Sequence, residues 1–239
     1  MGGATGQLEI PRGAVKICGL RRAEDARAAA LAGADLIGFI FAPGRRRVAP
    51  EEAATAIAAA RQATQGTLIA VGVFVDAPAD EVNAVSRIAG LDLVQLHGSE
   101  PPALVAALER PVLKVLRPVS GAAVATVMAQ MDVYAGQRNA PVAFLIDGFA
   151  HGAAGGHGIR ADWALAALLV ERQRVLLAGG LAPDNVEEAI AQVCPWGVDV
   201  SSGVERDGNK DRELIGSFVA TARRAFGRGQ SSSRGFLVS

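Results

Sequence analysis

The stretch VLLAGGLAPDNVEEAIAQVCPWGVDVSSG, Val175 to Gly203, contains a whole structural unit. Val175 to Ala178 is a brief apolar run closed by two glycines, which reads as a buried strand. Pro183 and Asp184 open a helical pattern, PDNVEEAIAQV, with acidic residues in its first turn. A second apolar run, Val198 to Ser201, then ends on two serines and a glycine. Strand, glycine-bearing loop, helix and strand in this order form a βαβ unit, whose parallel strands are joined through a helix rather than a hairpin.

The same unit recurs along the chain. Further strands are expected near Val15 to Cys18, Leu36 to Phe41, Leu68 to Val75, Leu93 to Leu96, Val112 to Leu116 and Ala143 to Asp147, making eight, each followed by a plausible helix. RRAEDARAAALAG stops at Gly33, and PEEAATAIAAARQ starts with Pro50 and two acids. Half of the residues are apolar but only 5% are aromatic, a balance suited to aliphatic parallel strands under Ala-rich helices. Eight strand-then-helix units in 239 residues fit a single α/β domain, a (β/α)8 TIM barrel. An open doubly wound sheet would leave two edges to protect, and no G-x-G-x-x-G follows the first strand. The expected division is a loose N-terminal lead-in over 1–13, the barrel over 14–227 and a flexible Gly/Ser-rich tail over 228–239.

Charge narrows the classes of partner. The 24 basic and 24 acidic residues cancel, so no general field holds nucleic acid or an anionic membrane. No segment has the length of a membrane span, and the N-terminus lacks a secretory pattern. Two cysteines far apart in sequence do not make a disulfide framework, and a reduced, cytoplasmic setting is expected. The partner is expected to be a small phosphorylated molecule, and the chain a monomer or homodimer. Any anion site must therefore be local.

In a (β/α)8 barrel the chemistry lies at the C-terminal ends of the strands. Cys18 ends the first strand, before Gly19, and by alternation shares a face with Lys16, whose ammonium would favour a thiolate. Taken alone, it also reads as a small buried hydrophobe. Asp147 closes the apolar sixth strand, where it can donate a proton across the barrel mouth to a substrate held against Cys18, or cap its own loop. Gln95 and His97 end the fourth strand on one face and are read as substrate-binding, with proton transfer an alternative for His97. Asp199 on the eighth strand either holds a substrate amine or hydroxyl or braces a loop. No histidine pair has metal-ligand spacing, so no metal is expected.

Three glycine-bearing loops follow strands six, seven and eight: GGHG with Gly156 and Gly158, AGGLAPDN with Gly179 and Gly180, and DVSSGVE with Ser201 and Ser202. Singly they are ordinary turns. Converging on one mouth, their backbone N–H groups form a phosphate site that needs no lysine. GRRRV after strand two places arginines at the same mouth, where one can bind a carboxylate through two parallel hydrogen bonds.

Together KICGL, GFIFAPGRRRV, VGVFVD, VQLHG, FLIDG, GGHG, LAGGLAPDNV and DVSSGVE, spread over Val15 to Phe226, resemble the phosphoribosylanthranilate isomerases of tryptophan biosynthesis. The resemblance implies a cofactor-free Amadori rearrangement, with Cys18 as general base, Asp147 as general acid and Arg47 against the anthranilate carboxylate. The arginine loop is one residue shorter than the family pattern and lacks its aromatic, so Arg46 is an alternative to Arg47. In GGHGIRADW, His157 and Ile159 replace the usual hydroxyl and lysine residues, which leaves that loop to hold phosphate through backbone alone. The histidine and acid ligands of a phosphosugar epimerase, and the lysine and glutamate of indole-glycerol-phosphate synthase, are not evident.

Overall fold

A computed structural model describes residues 8–119, 121–148 and 162–232. Eight parallel strands close on themselves in sequence order: β1 (Ala14–Ile17), β2 (Leu36–Ile40), β3 (Ile69–Phe74), β4 (Leu93–Leu96), β5 (Val112–Leu116), β6 (Ala143–Ile146), β7 (Val175–Leu177) and β8 (Gly197–Val200). The seam is a parallel pairing of β1 with β8, in which Val15 lies opposite Val198 and Ile17 opposite Val200. Closure removes the edges that an open sheet would expose. Each strand is followed by a helix: α1 (Ala23–Leu31), α2 (Pro50–Gln62), α3 (Ala79–Ala89), α4 (Pro102–Val105), α5 (Val124–Ala135), α6 (Trp163–Leu169), α7 (Val186–Val193) and α8 (Arg212–Ser232). The fold is the expected (β/α)8 barrel, and strand limits differ from the sequence reading by a residue or so.

Alternation divides the apolar residues into two cores. Ala14, Leu36, Ile69, Val71, Leu93, Leu113, Val115, Ala143, Leu145 and Leu176 fill the barrel, while the intervening residues pack against the helices in the larger cluster. Two expected boundaries are corrected. Residues 8–13 are not a loose lead-in throughout: Ile10 is buried in the barrel core, and its carbonyl accepts from Trp196 Nε1 at 2.8 Å. The last helix continues to Ser232, so 228–232 are helical rather than tail.

Beyond β8 the chain forms a 3-10 turn (Ser202–Val204) and a small antiparallel hairpin, β9 (Glu205–Arg206) and β10 (Asn209–Lys210). This hairpin is not legible in the sequence, since two-residue strands carry no periodicity.

Candidate active site

The inward positions at the C-terminal end of the barrel are where the apolar filling gives way to polar groups. On β1 the face of Ala14 continues through Lys16 to Cys18, just past the strand end. Lys16 is fully buried, with Nζ 2.9 Å from Asp199 Oδ1 on the neighbouring β8. Asp199 thus holds Lys16 through one of its two carboxylate oxygens. Burial works against the Lys16 ammonium, but Asp199 and Cys18 outweigh it and hold its pKa above the usual value. For Cys18, burial pushes the thiol up, Lys16 pulls it down and Asp199 opposes Lys16; the thiol stays above its ordinary value.

Room for this arrangement comes from Gly38 on β2. A β-carbon placed there would lie 2.8 Å from Cys18 Sγ and 3.2 Å from Lys16 Nζ. Thiol and ammonium thus pack side by side over a bare backbone, a requirement that alternation along β1 could not reveal.

Asp147 follows β6 directly. Its Oδ1 accepts from the Gly148 N–H at 2.8 Å, while Oδ2 lies 3.4 Å from His97 Nε2. His97 Nδ1 is 3.1 Å from Gln95 Nε2 in turn. Gln95 and His97 lie in line with Asp147, but His97 Nε2 and Gln95 Oε1 are buried without a hydrogen-bond partner. Gly179 faces the same acid: its φ is +83°, and a β-carbon would collide with the Gly148 nitrogen and lie 2.9 Å from Asp147 Oδ1. The glycine therefore serves both the turn and the close approach of the β6 and β7 loops.

The β4 loop is braced from outside the barrel. Lys114 on β5, buried on the helix-facing side, donates to the carbonyl of Gly98 at 2.9 Å and to Glu100 Oε2 at 2.6 Å. Glu100 Oε1 accepts from the backbone N–H groups of Asp76 and Gly98. Burial raises Glu100, but Lys114 outweighs it and the carboxyl lies below its ordinary value. This buried pair fixes the backbone next to His97, and hydrophobic patterning concealed it because lysine and glutamate read as surface residues.

The two arginines that the sequence left open differ in their surroundings. Arg47 is exposed, whereas Arg46 is half-buried against the mouth. A β-carbon on Gly19 would lie 2.8 Å from Arg46 Cδ, placing that arginine beside the Cys18 loop. Its Nε and Nη2 donate to Glu205 Oε1 and Oε2 at 2.7 and 2.9 Å. The reason is local: Arg47 bridges to Ile40 in parallel register, which turns the preceding side chain inward. Lys210 Nζ also reaches Glu205, at 2.9 Å, and the Ser201 carbonyl, at 2.8 Å. Neither Glu205 nor Lys210 was singled out by the sequence.

In the loop after β7, Gly179 and Gly180 both have positive φ, and Asn185 braces it through the Gly180 carbonyl and the Ala182 N–H. Ser202 opens the 3-10 turn. Ser201 Oγ is buried without a hydrogen-bond partner, close to Gly19. Gly156 and Gly158 lie outside the described residues. Among the described residues no group of three or more His, Cys, Asp or Glu side chains could hold a metal ion, and no helix is long and apolar enough to cross a membrane.

Comparison with known proteins gives this geometry a family. Residues 15–221 match the model of N-(5'-phosphoribosyl)anthranilate (PRA) isomerase. The chain belongs to the PRA isomerase family. It is 45% identical over 215 residues to the N-(5'-phosphoribosyl)anthranilate isomerase of Roseiflexus sp. (strain RS-1), covering 88% of this chain and 98% of the relative. Identity to the Symbiobacterium thermophilum isomerase is 42% over 228 residues, covering 87% and 97%. Among solved structures, the phosphoribosyl anthranilate isomerase of Thermus thermophilus superposes with a TM-score of 0.73 at 37% identity, covering 88% of this chain and 98% of that one. A phosphoribosyl anthranilate isomerase in complex with reduced 1-(o-carboxyphenylamino)-1-deoxyribulose 5-phosphate matches at TM-score 0.71 and 33% identity, with the same coverage. Membership of this family makes the chain an isomerase.

Proposed function

We propose that this chain converts N-(5-phosphoribosyl)anthranilate to 1-(2-carboxyphenylamino)-1-deoxyribulose 5-phosphate in tryptophan biosynthesis. The observation that carries the reading is that one barrel mouth holds a thiol beside a buried ammonium, a carboxyl beside an imidazole, and glycine-rich anion loops. The substrate's phosphate rests on the backbone of Gly179 and Gly180 and on Ser202. Its carboxylate meets Arg46, and Ser201 lends its unpartnered hydroxyl nearby.

Asp147 gives its proton to the ribose ring oxygen as the C1–O bond breaks, and the ring opens to the protonated imine. The Cys18 thiolate then takes the proton from C2, and the electron pair moves into the C1–C2 bond to give the enolamine, which tautomerises to the ketone. Lys16 favours the thiolate, Asp199 holds Lys16, and Gln95 with His97 orients Asp147. The reaction is an internal redox exchange between C1 and C2, so atoms and electrons balance without an external oxidant.

The test is to generate phosphoribosylanthranilate in situ and follow the loss of its anthranilate-type fluorescence. Rapid decay is expected with the wild type, falling by about 10²–10⁴-fold in Cys18→Ala and Asp147→Ala, the usual contribution of an acid-base group. Absence of decay in the wild type would refute the function; full activity in either variant would refute that residue's role.

A further inference from the structure

Glu205 stands at the first residue of β9, where it joins two loops that are far apart in sequence. Its carboxylate is only 7% exposed and accepts from three cations: Arg46 through Nε and Nη2, Arg45 through Nη2 at 3.0 Å, and Lys210 at 2.9 Å. Arg45 Nη1 also donates to the Gly208 carbonyl at 2.6 Å, and Arg21 Nη2 to Asn209 Oδ1 at 3.2 Å. The hairpin β9–β10 is thereby strapped across the β2 loop. Arg46 spends its Nε edge on Glu205 and keeps Nη1 for another acceptor, while its stem lies against Gly19 next to Cys18. Three cations around one carboxylate leave this cluster net positive.

We propose that Glu205 is a positioning residue that aims Arg46 at the substrate's carboxylate, and that it thereby sets the preference for a carboxylated aryl amine. This rests on the functional reading above. Burial disfavours the Glu205 carboxylate, but hydrogen bonds from Arg46 and Lys210 bring its pKa to about 2, so it is charged wherever the enzyme works. An unheld arginine would be free to turn to solvent, and without Glu205 its neighbours Arg45 and Lys210 would repel it. Two effects of neutralising Glu205 compete: loss of aim weakens carboxylate binding, and loss of a rival anion strengthens it. Aim dominates, because a guanidinium recognises a carboxylate through fixed, paired hydrogen bonds rather than as a diffuse charge.

The experiment is a calorimetric titration with two inert product analogues, reduced 1-(2-carboxyphenylamino)-1-deoxyribulose 5-phosphate and its phenylamino counterpart without the carboxyl. Wild type, Glu205→Gln and Glu205→Asp are compared, with melting curves as a check on folding. Glu205→Gln is expected to weaken the carboxylated analogue by about tenfold or more while the other changes by less than about threefold, an effect of the size seen for outer partners of metal ligands. Glu205→Asp keeps the charge with a shorter reach; it should give an intermediate loss, and it replaces Glu205→Gln if that variant does not fold. Equal weakening of both analogues would mean a merely structural role, and unchanged or tighter binding of the carboxylated one would mean that charge alone suffices; either overturns the proposal. Failure of the wild type to bind either analogue would instead overturn the functional reading, and this inference with it.

Discussion

Replacing Gly38 with alanine tests whether the thiol's position, rather than its presence, sets the rate. The added β-carbon would lie 2.8 Å from Cys18 Sγ, 3.2 Å from the Cys18 α-carbon and 3.2 Å from Lys16 Nζ. Non-bonded carbon contacts settle near about 3.5–4.0 Å, so Sγ must retreat by roughly 1 Å. A misplacement of about 1 Å can cost about 10²-fold in rate. Overpacking a filled core costs about 1–3 kcal/mol, which in a domain of this size lowers the melting temperature by about 2–4 °C per kcal/mol. The expected variant is folded, melts several degrees lower and binds product analogue nearly as well, but has a kcat about a hundredfold lower in the fluorescence assay. Gly216→Ala in α8 is the control, because a β-carbon there meets nothing within 4 Å. Wild-type kcat in a folded Gly38→Ala enzyme would refute the claim that Cys18 must sit beside Lys16 over a bare β2 backbone.

Lys16→Met and Asp199→Asn should shift the alkaline rise of kcat/KM in opposite directions. The first removes the charge that lowers the Cys18 thiol and moves the rise to higher pH; the second removes one that raises it and moves the rise to lower pH. Shifts of the same sign in a pH–rate series would contradict this network. Glu205, lowered from 4.5 to about 2, stabilises the fold above about pH 4.5, and that stability is lost as pH falls towards 2. Its full value is about 3 kcal/mol at about 1.4 kcal/mol per decade, reduced to roughly 1–2 by water at the mouth; urea melts of wild type and Glu205→Gln should therefore converge between pH 4.5 and 2. Lys114→Met strands the buried Glu100 and should cost about 3–5 kcal/mol by chemical denaturation; a loss below about 1 kcal/mol would show that the pair is dispensable.

The legibility of each site residue followed from how local its signal was. Cys18, Asp147, Gln95 and His97 could be placed because each lies at or just past a strand end, where alternation alone decides which side a residue faces. Arg46 and Arg47 could not be separated in that way. They lie in an irregular loop, and the short bridge between Ile40 and Arg47 that orients them, though local, leaves no repeating pattern in the sequence. Asp199 was visible as a polar residue on an apolar strand, but its partner was not, because Lys16 is its neighbour only through the β1–β8 seam.

By itself the sequence determined the repeated strand-helix unit, the count of eight and the end of the barrel at which chemistry can occur. These depend on periods of two and 3.6 residues, which the chain writes locally. Tertiary structure alone decided that Gly38 makes room for the thiol, that Lys114 and Glu100 brace the loop of His97, and that Glu205 gathers Arg45, Arg46 and Lys210. Each of these brings together groups from strands or loops separated in sequence, and their identity as partners is set by closure of the barrel and the register of its strands. Charged residues that patterning assigns to the surface are stable inside because a partner from another element meets them there.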